Sequence, residues 1–309
     1  MNNSNNNSFD DDIDLSELFL IVWRKKITSI TITIMVAIFT VFYSLSLPNI
    51  YSSNALLAPT TQDESLNSKL GGYSRIAGIA GINIPSEAAP KHIEANERIK
   101  SYDFFVKEFL PNIRLENLMA FEEWVKISNT NIYNNKVFDE VNDKWIRASS
   151  ASMQAKPSDQ EAYEVYIRMI SISEDKITSF VTINVDHLSP FIAERWLSLI
   201  IKKINSHMRD IDKKAAENSI NFLSKISGET NLFELKEGIS KLLESQMQIL
   251  MLTEASKDYI FKSISSPRVA EKKSSPSRAT ICILGTILGF IFSILIVIAQ
   301  HFYYNNKEN

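Results

Sequence analysis

The chain has a single cysteine among 309 residues, with only eight glycines and nine prolines. One thiol, Cys282, cannot close an internal disulfide or build a cysteine-rich zinc site, so no covalent cross-link is expected to stabilise the fold. That usage suits the cytosol and the periplasm equally. The low glycine and proline content excludes a collagen-like or low-complexity chain. A net charge of -3 shows no basic excess of the kind nucleic acid requires, and no nucleic-acid partner is expected.

Catalytic motifs are missing too. No G-x-x-x-x-G-K-[ST] pattern occurs, and Gly71, Gly72, Gly78 and Gly81 lack the lysine and hydroxyl that hold phosphate and magnesium. That loop, residues 71–86, reads better as flexible or membrane-skimming. No G-x-S-x-G elbow is present. His92, His187, His207 and His301 stand at no metal-ligand spacing and read as surface or packing residues. Glu122 and Glu123 are adjacent; on a helix they point apart and belong to a solvated face. No catalytic, cofactor-binding or metal-binding residue is assigned, and the chain is not expected to be an enzyme.

Two long apolar runs dominate what is present. Residues 27–47 and 279–299 carry no charge, and each is 21 residues long. As helices rising about 1.5 Å per residue, both span a bilayer's hydrocarbon core. The serines and threonines of the first run can bond back to their own backbone. A cleaved secretory signal is the competing reading, with Ser44-x-Ser46 imitating a cleavage site. The length of the run and the acidic segment before it favour a retained anchor.

Arg24, Lys25 and Lys26 directly precede the first run, and positive residues stay cytoplasmic. Two spans then place 1–26 and 300–309 in the cytoplasm and 48–278 outside. Arg268, Lys272, Lys273 and Arg278 flank the second span on its outer side and oppose this. Long translocated loops largely escape the charge rule, so the assignment is kept. The Asn-rich first dozen residues cannot bury a core and are expected to be disordered. Asp14 and Glu17 resemble a capping box for a short interfacial helix displaying Leu15, Leu18, Phe19 and Val22.

In the outer segment, Tyr51–Pro59 reads as a strand, 89–170 as largely helical and rich in aromatics, and 176–186 as a β-branched strand. From 190 to 227 there is neither proline inside the pattern nor glycine, which predicts one helix of roughly 55 Å. Ile200, Ile204, Met208, Ile211, Ala215, Phe222 and Ile226 form a thin stripe along it. A second helix, 231–257, carries a narrow seam at Leu232, Leu235, Ile239, Leu242, Gln246, Ile249 and Thr253. A rod with so little apolar surface is expected to project and to pack either on that helix or on other copies of the chain, a solvated hairpin without an oligomer being the alternative. Residues 259–264 read as a returning strand, pairing with 51–59 or with 176–186. Lys202, Lys203, Arg209 and Lys213 on the rod are mixed with acids. They read as a solubility device, with contact to an anionic or polyhydroxyl polymer as the second reading.

Taken together, IDLSELFLIVWRKK (13–26), YSSNALLAP (51–59), SISEDKITSFVTINVDHLSPFIAERWLSLII (171–201), YIFKSISSP (259–267) and the proline-rich approach to a second span with Gly285 and Gly289 resemble the Wzz-type chain-length determinants. These are polysaccharide co-polymerases. The resemblance implies an α+β fold: a membrane-proximal mixed α/β base with long protruding helices, anchored by two transmembrane helices. It implies a homo-oligomeric ring, no cofactor and no bond chemistry. Such a ring sets the length of an O-antigen or related glycan that a separate membrane polymerase builds on a lipid carrier. Gly285, Gly289, Pro267, Pro276 and Arg278 are then candidates for membrane-helix packing or polymerase contact. Ile200, Ile204, Met208, Ile211 and Phe222 are candidates for oligomer or helix packing. Lys202, Lys203, Arg209 and Lys213 are candidates for glycan contact. With ten residues after the second span, no fused kinase is expected, and Tyr303 and Tyr304 read as interfacial anchors. A two-span extracytoplasmic sensor or tethered periplasmic scaffold is the alternative reading, and a tethered periplasmic enzyme is a third.

Overall fold

A computed structural model describes residues 23–60, 90–149, 154–229 and 233–308. The interfacial helix expected near Asp14, the glycine-rich loop at 71–86 and the seam position Leu232 lie outside the described residues. The chain divides into two compact units, one formed by 1–49 with 274–309 and one by 50–273.

The first unit contains helix α1, Lys26–Ser46, and the chain's last helix. Its form follows from an uncharged run whose hydroxyls are satisfied locally. Thr31 donates to the Ile27 carbonyl (2.8 Å), Thr33 to Ser29 (2.9 Å) and Thr40 to Val36 (2.8 Å). A hydroxyl bonded one turn back exposes little polarity to lipid.

The second unit begins with β1, Tyr51–Pro59, and α2, Lys91–Lys100. A tight irregular helical run over 102–112 precedes α3, Leu115–Met119. Here the expectation of a helical 89–170 fails. Two small hairpins interrupt it: β2, Phe121–Val125, with β3, Thr130–Tyr133, then β4, Phe138–Asp139, with β5, Lys144–Trp145. Turn chemistry overrides the apolar spacing. Asn129 and Asp143 hold φ of 52° and 49°, a region asparagine and aspartate tolerate better than other side chains. Glu122 and Glu123 are therefore strand residues, both exposed.

Helix α4, Asp159–Met169, starts with Ser158, whose hydroxyl accepts from the Glu161 amide. It runs into β6, Ile170–Glu174, and then β7, Val181–His187. The strand expected from 176 starts later because Asp175 caps a turn, accepting from the Ile177 and Thr178 amides at 2.8 and 3.1 Å. Ser179 follows at φ 57°.

Helix α5, Pro190–Glu229, is followed by α6, Phe233–Ala255, then β8, Phe261–Ser265. Proline at the start of α5 lacks only an amide that the first turn leaves unpaired anyway. The final helix, α7, Arg278–Glu308, belongs to the first unit and continues through most of the stretch expected as a tail.

The sheet has the order β6-β7-β1-β8 and is antiparallel throughout, with Tyr51 opposite His187 and Leu57 opposite Val181. Of the two partners open to the returning strand, β1 takes it. Alternation buries Ala55, Leu57, Val181, Ile183 and Val185 on one face. Against them pack Trp196, Leu197, Ile200, Ile204 and Met208 of α5, with Phe104, Phe105, Phe109 and Tyr166. The rings of Phe105 and Phe109 lie 4.8 and 4.9 Å from that of Tyr166, and the buried Tyr166 hydroxyl donates to the Ile99 carbonyl (2.8 Å).

The thin stripe expected along the rod is thus wrong for its first half. Up to Met208 the helix buries a broad face in the core, including Ile192, Ala193 and Ile201. Only beyond Met208 does it narrow to a seam against α6, where Leu223 joins Ile239 and Leu242. The seam is also displaced by one position: Ala216 and Leu223 are buried, while Ala215 and Phe222 are exposed and Ile211 is half-buried. At about 1.5 Å per residue the 40-residue helix is roughly 60 Å long.

Asn205, 4% exposed, fastens β8 to this helix. Its Oδ1 accepts from the amides of Ile260 (2.8 Å) and Phe261 (2.9 Å), and its Nδ2 donates to the Phe261 carbonyl (3.1 Å). One side chain thereby satisfies three buried backbone groups. In the Asn205→Leu variant those groups lose their partner at about 1–3 kcal/mol per unsatisfied group. A clear drop in the thermal unfolding temperature of the detergent-solubilised protein is expected; an unchanged temperature would show that water replaces the amide.

Candidate functional site

Helices α1 and α7 run antiparallel, with residues 29, 36 and 40 facing 293, 289 and 285 respectively. Gly285, Gly289 and Ser293 recur every fourth residue and form one face of α7. A β-carbon added at Gly289 would lie 2.8 Å from Val36 Cγ1, and one at Gly285 would fall inside the Thr40 side chain. The glycines are what lets the two backbones approach this closely. Ser29 and Ser293 share a buried hydrogen bond, Oγ to Oγ 2.7 Å. Away from this seam, Ile34, Phe39, Phe42, Leu284, Leu288, Phe292 and Leu295 are more than half exposed. Both helices are long and apolar enough to cross a membrane.

Of the other positions in this group, Pro276 and Arg278 lie in the same unit, whereas Pro267 belongs to the second. Arg278 Nη2 donates to Asn49 Oδ1 (3.2 Å), which ties the start of α7 to the residues following α1. The glycine face is turned to α1.

Of the four candidate cations on the rod, three are paired. Lys203 Nζ lies 3.5 Å from Glu108 Oε2, whose other oxygen is 3.1 Å from His207 Nδ1. Arg209 Nε lies 3.9 Å from Asp210, and Lys213 pairs with Glu254 of α6. That hydrogen bond raises the Lys213 pKa and lowers the Glu254 pKa. Lys202 is exposed and has no ion pair among the described residues. The candidate glycan cations are therefore one unpaired lysine and three whose charge is already matched locally.

A cleft of about 320 Å³ opens in the second unit, floored by Leu118, Phe121, Met169 and Leu188, with Arg168 and Asp186 exposed at its rim. His187 lines it but is not poised for proton transfer. Its Nε2 is 2.9 Å from the Asn117 carbonyl and its Nδ1 is 2.9 Å from the Ser189 amide. A carbonyl only accepts and an amide only donates, so Nε2 carries the proton and the ring is neutral. Edge contacts to Phe121 (4.7 Å) and Trp196 (4.8 Å) complete its enclosure. The sequence reads His187 as a surface or packing residue; both partners of its ring are backbone groups, which no residue type announces. Among the described residues no group of three or more histidine, cysteine or acidic side chains is arranged to hold a metal ion.

Two predictions follow from these geometries. Burial pushes the His187 pKa down from 6.5 to about 4, against smaller opposing contributions from its backbone hydrogen bonds. The unfolded chain therefore binds more protons between these values. Stability should fall as pH drops from about 6.5 towards 4, by at most about 3 kcal/mol, and not change from this cause above that window. His187→Gln should flatten the acid limb of unfolding temperature against pH; an unchanged limb refutes the assignment. For the membrane pair, cysteines at 29 and 293 in a Cys282→Ser background should cross-link efficiently. Adding Gly289→Leu should reduce the yield several-fold while leaving the second unit's unfolding temperature unchanged. Equal cross-linking with leucine present would show that the glycine contact is incidental.

Residues 11–104 match the family model described as Wzz, chain length determinant protein. That stretch takes in the first apolar helix, β1 and α2. No curated protein matches the chain in sequence. Among solved structures, a full-length bacterial polysaccharide co-polymerase is 14% identical, with 94% of this chain and 99% of that one covered and a TM-score of 0.38. A fragment of WzzB, a polysaccharide co-polymerase from Salmonella Typhimurium, is 11% identical, with 74% and 100% covered and a TM-score of 0.31. The similarity to the Wzz chain length determinant family thus extends over the first apolar helix, the first strand and the following helix.

Proposed function

We propose that this protein is a non-enzymatic regulator of the chain length of O-antigen or a related surface polysaccharide. It acts on lipid-linked glycan beside a separate membrane polymerase. Residues 48–278 stand in the periplasm of a bacterium, the two apolar helices cross the inner membrane, and 1–26 and 300–309 are cytoplasmic. Several copies assemble as a ring.

The observation that carries the reading is the family match across 11–104. Two structural features support it. Glycines 285 and 289 are committed to packing within the chain, which makes the helix pair a fixed anchor. On the outer unit, Phe222, Met247 and Met251 are exposed on the α5–α6 hairpin at 46, 49 and 65%. Apolar side chains left outside a hairpin's own seam are available to a neighbouring copy. Phe222, displaced from the intrachain seam, is thus better placed to contact another copy than to pack within its own.

Deletion of the gene in its native host should turn a modal ladder of surface glycan into an unregulated one, with total polymer retained. Complementation with Phe222→Asp should leave the chain folded, lower the mass of the detergent-solubilised assembly and fail to restore the modal length. A native ladder after deletion would refute the function, and full assembly of the aspartate variant would refute this interface.

A further inference from the structure

Three hairpin turns in the second unit each hold an aliphatic side chain almost wholly in solvent: Ile127 between β2 and β3 (100% exposed), Val141 between β4 and β5 (93%), and Ile177 between β6 and β7 (94%). Turns are ordinarily polar, so each calls for a reason. The three differ in their surroundings. The turn of Val141 contains Asp139, Glu140 and Asp143, and that of Ile177 contains Asp175 beside Lys176. The turn of Ile127, residues 126–130, has no acid and one exposed lysine, Lys126.

The β2–β3 turn also leads directly from a set of aromatic side chains. Trp124 meets Tyr51 edge to face with ring centres 5.4 Å apart, and it meets Phe191 at 5.8 Å. Phe191 is 43% exposed. The indole N–H is satisfied within the hairpin by Asn129 Oδ1 (3.0 Å), which leaves its apolar edge free for other contact. Tyr51 follows Ser46, the last residue of α1, by five positions. A fully extended chain covers about 3.5 Å per residue, so the Tyr51 backbone is tethered within roughly 18 Å of the helix end.

We propose that the 126–130 turn is a membrane-surface contact. Ile127 seats among the headgroups of the leaflet from which α1 emerges, Lys126 meets lipid phosphate, and Trp124, Tyr51 and Phe191 form an aromatic belt behind them. Tryptophan and tyrosine favour this depth because one end of the ring is apolar and the other tolerates water. Aliphatic insertion combined with a cation is the general recipe for binding an anionic interface. Of the two exposed acids, Glu122 lies near the end of β2 away from the turn and Glu123 at the strand's middle. Glu123 is four residues from Ile127, about 13 Å along a strand. What sets Ile127 apart from Val141 and Ile177 is its acid-free turn, its neighbouring cation and the aromatic side chains behind it.

The inference rests on α1 being a bilayer span, and the test separates the two. In the full chain with Cys282→Ser, single cysteines replace Ile127, Val141 or Phe292, the last on the exposed face of α7. Each is labelled with an environment-sensitive fluorophore, and the protein is reconstituted into phosphatidylethanolamine–phosphatidylglycerol vesicles. The expected result is blue-shifted emission at position 127, quenched several-fold more than at 141 by lipids with a headgroup nitroxide. The label at 292 should be quenched by acyl-chain nitroxide. Equal quenching at 127 and 141, with 292 still quenched, overturns the surface contact alone. A blue shift at 127 without nitroxide quenching also overturns it, in favour of a protein neighbour. Loss of quenching at 292 overturns the bilayer reading and the inference with it.

Discussion

The packing of the first five turns of α5 against the antiparallel sheet is the contact on which the second unit depends. Three of the four strands of the sheet reach the core through it, and Ile170 and Ile172 of β6 pack at its margin: Leu57 from β1, Val181, Ile183 and Val185 from β7, and Phe261 from β8 share one cluster with Trp196, Ile200 and Ile204. The same helix then leaves the core and becomes one arm of a hairpin. A helix that is half core and half stalk transmits its orientation along its whole length, because the broad buried face at its start sets the azimuth of the seam beyond it. Asn205 sits where the one role changes to the other. There it binds the strand that brings the chain back, so the return path is held by hydrogen bonds as well as by apolar contact.

The membrane pair solves a different problem with different means. In lipid there is no gain from burying an aliphatic side chain against another, since hydrocarbon is available everywhere. What can hold two helices together is close approach and hydroxyl contact. Gly285, Gly289 and Ser293 supply the approach on one helix, with Thr40, Val36 and Ser29 opposite. The large side chains Phe39, Phe42, Leu288 and Phe292 are turned outward. The two units therefore show opposite patterns, apolar inside in one and small or hydroxylated inside in the other, and each suits the solvent it meets.

The candidate residues sort themselves by this logic. Ile200, Ile204 and Met208 are core residues of the second unit, so a role in assembly would have to act through the shape of that core. Phe222 is the exposed member of the group. The cations Lys203, Arg209 and Lys213 are engaged by Glu108, Asp210 and Glu254, and a glycan approaching them would compete with carboxylates already in place. Lys202 meets no such competition. His187 derives its low proton affinity from burial, enclosed between Phe121 and Trp196 in an environment that holds a neutral ring still.

Much of this was legible in the residues. Length and lack of charge marked both apolar helices, and period-two alternation marked β1 and β7. Proline at 190, with no further glycine or proline until Gly228, marked a 40-residue helix to within two residues of its end. Those signals are local, carried by the chain's own geometry whatever it touches. The hairpins between 121 and 145, the late start of β7 and the one-position shift of the α5 seam were not legible in the same way. The first two were decided by single turn residues, Asn129, Asp143 and Asp175, whose side chains or tolerance of positive φ outweigh the apolar spacing around them. The last was decided by where α6 and the sheet lie. A helix presents several overlapping apolar stripes, and only its neighbours select which one is buried.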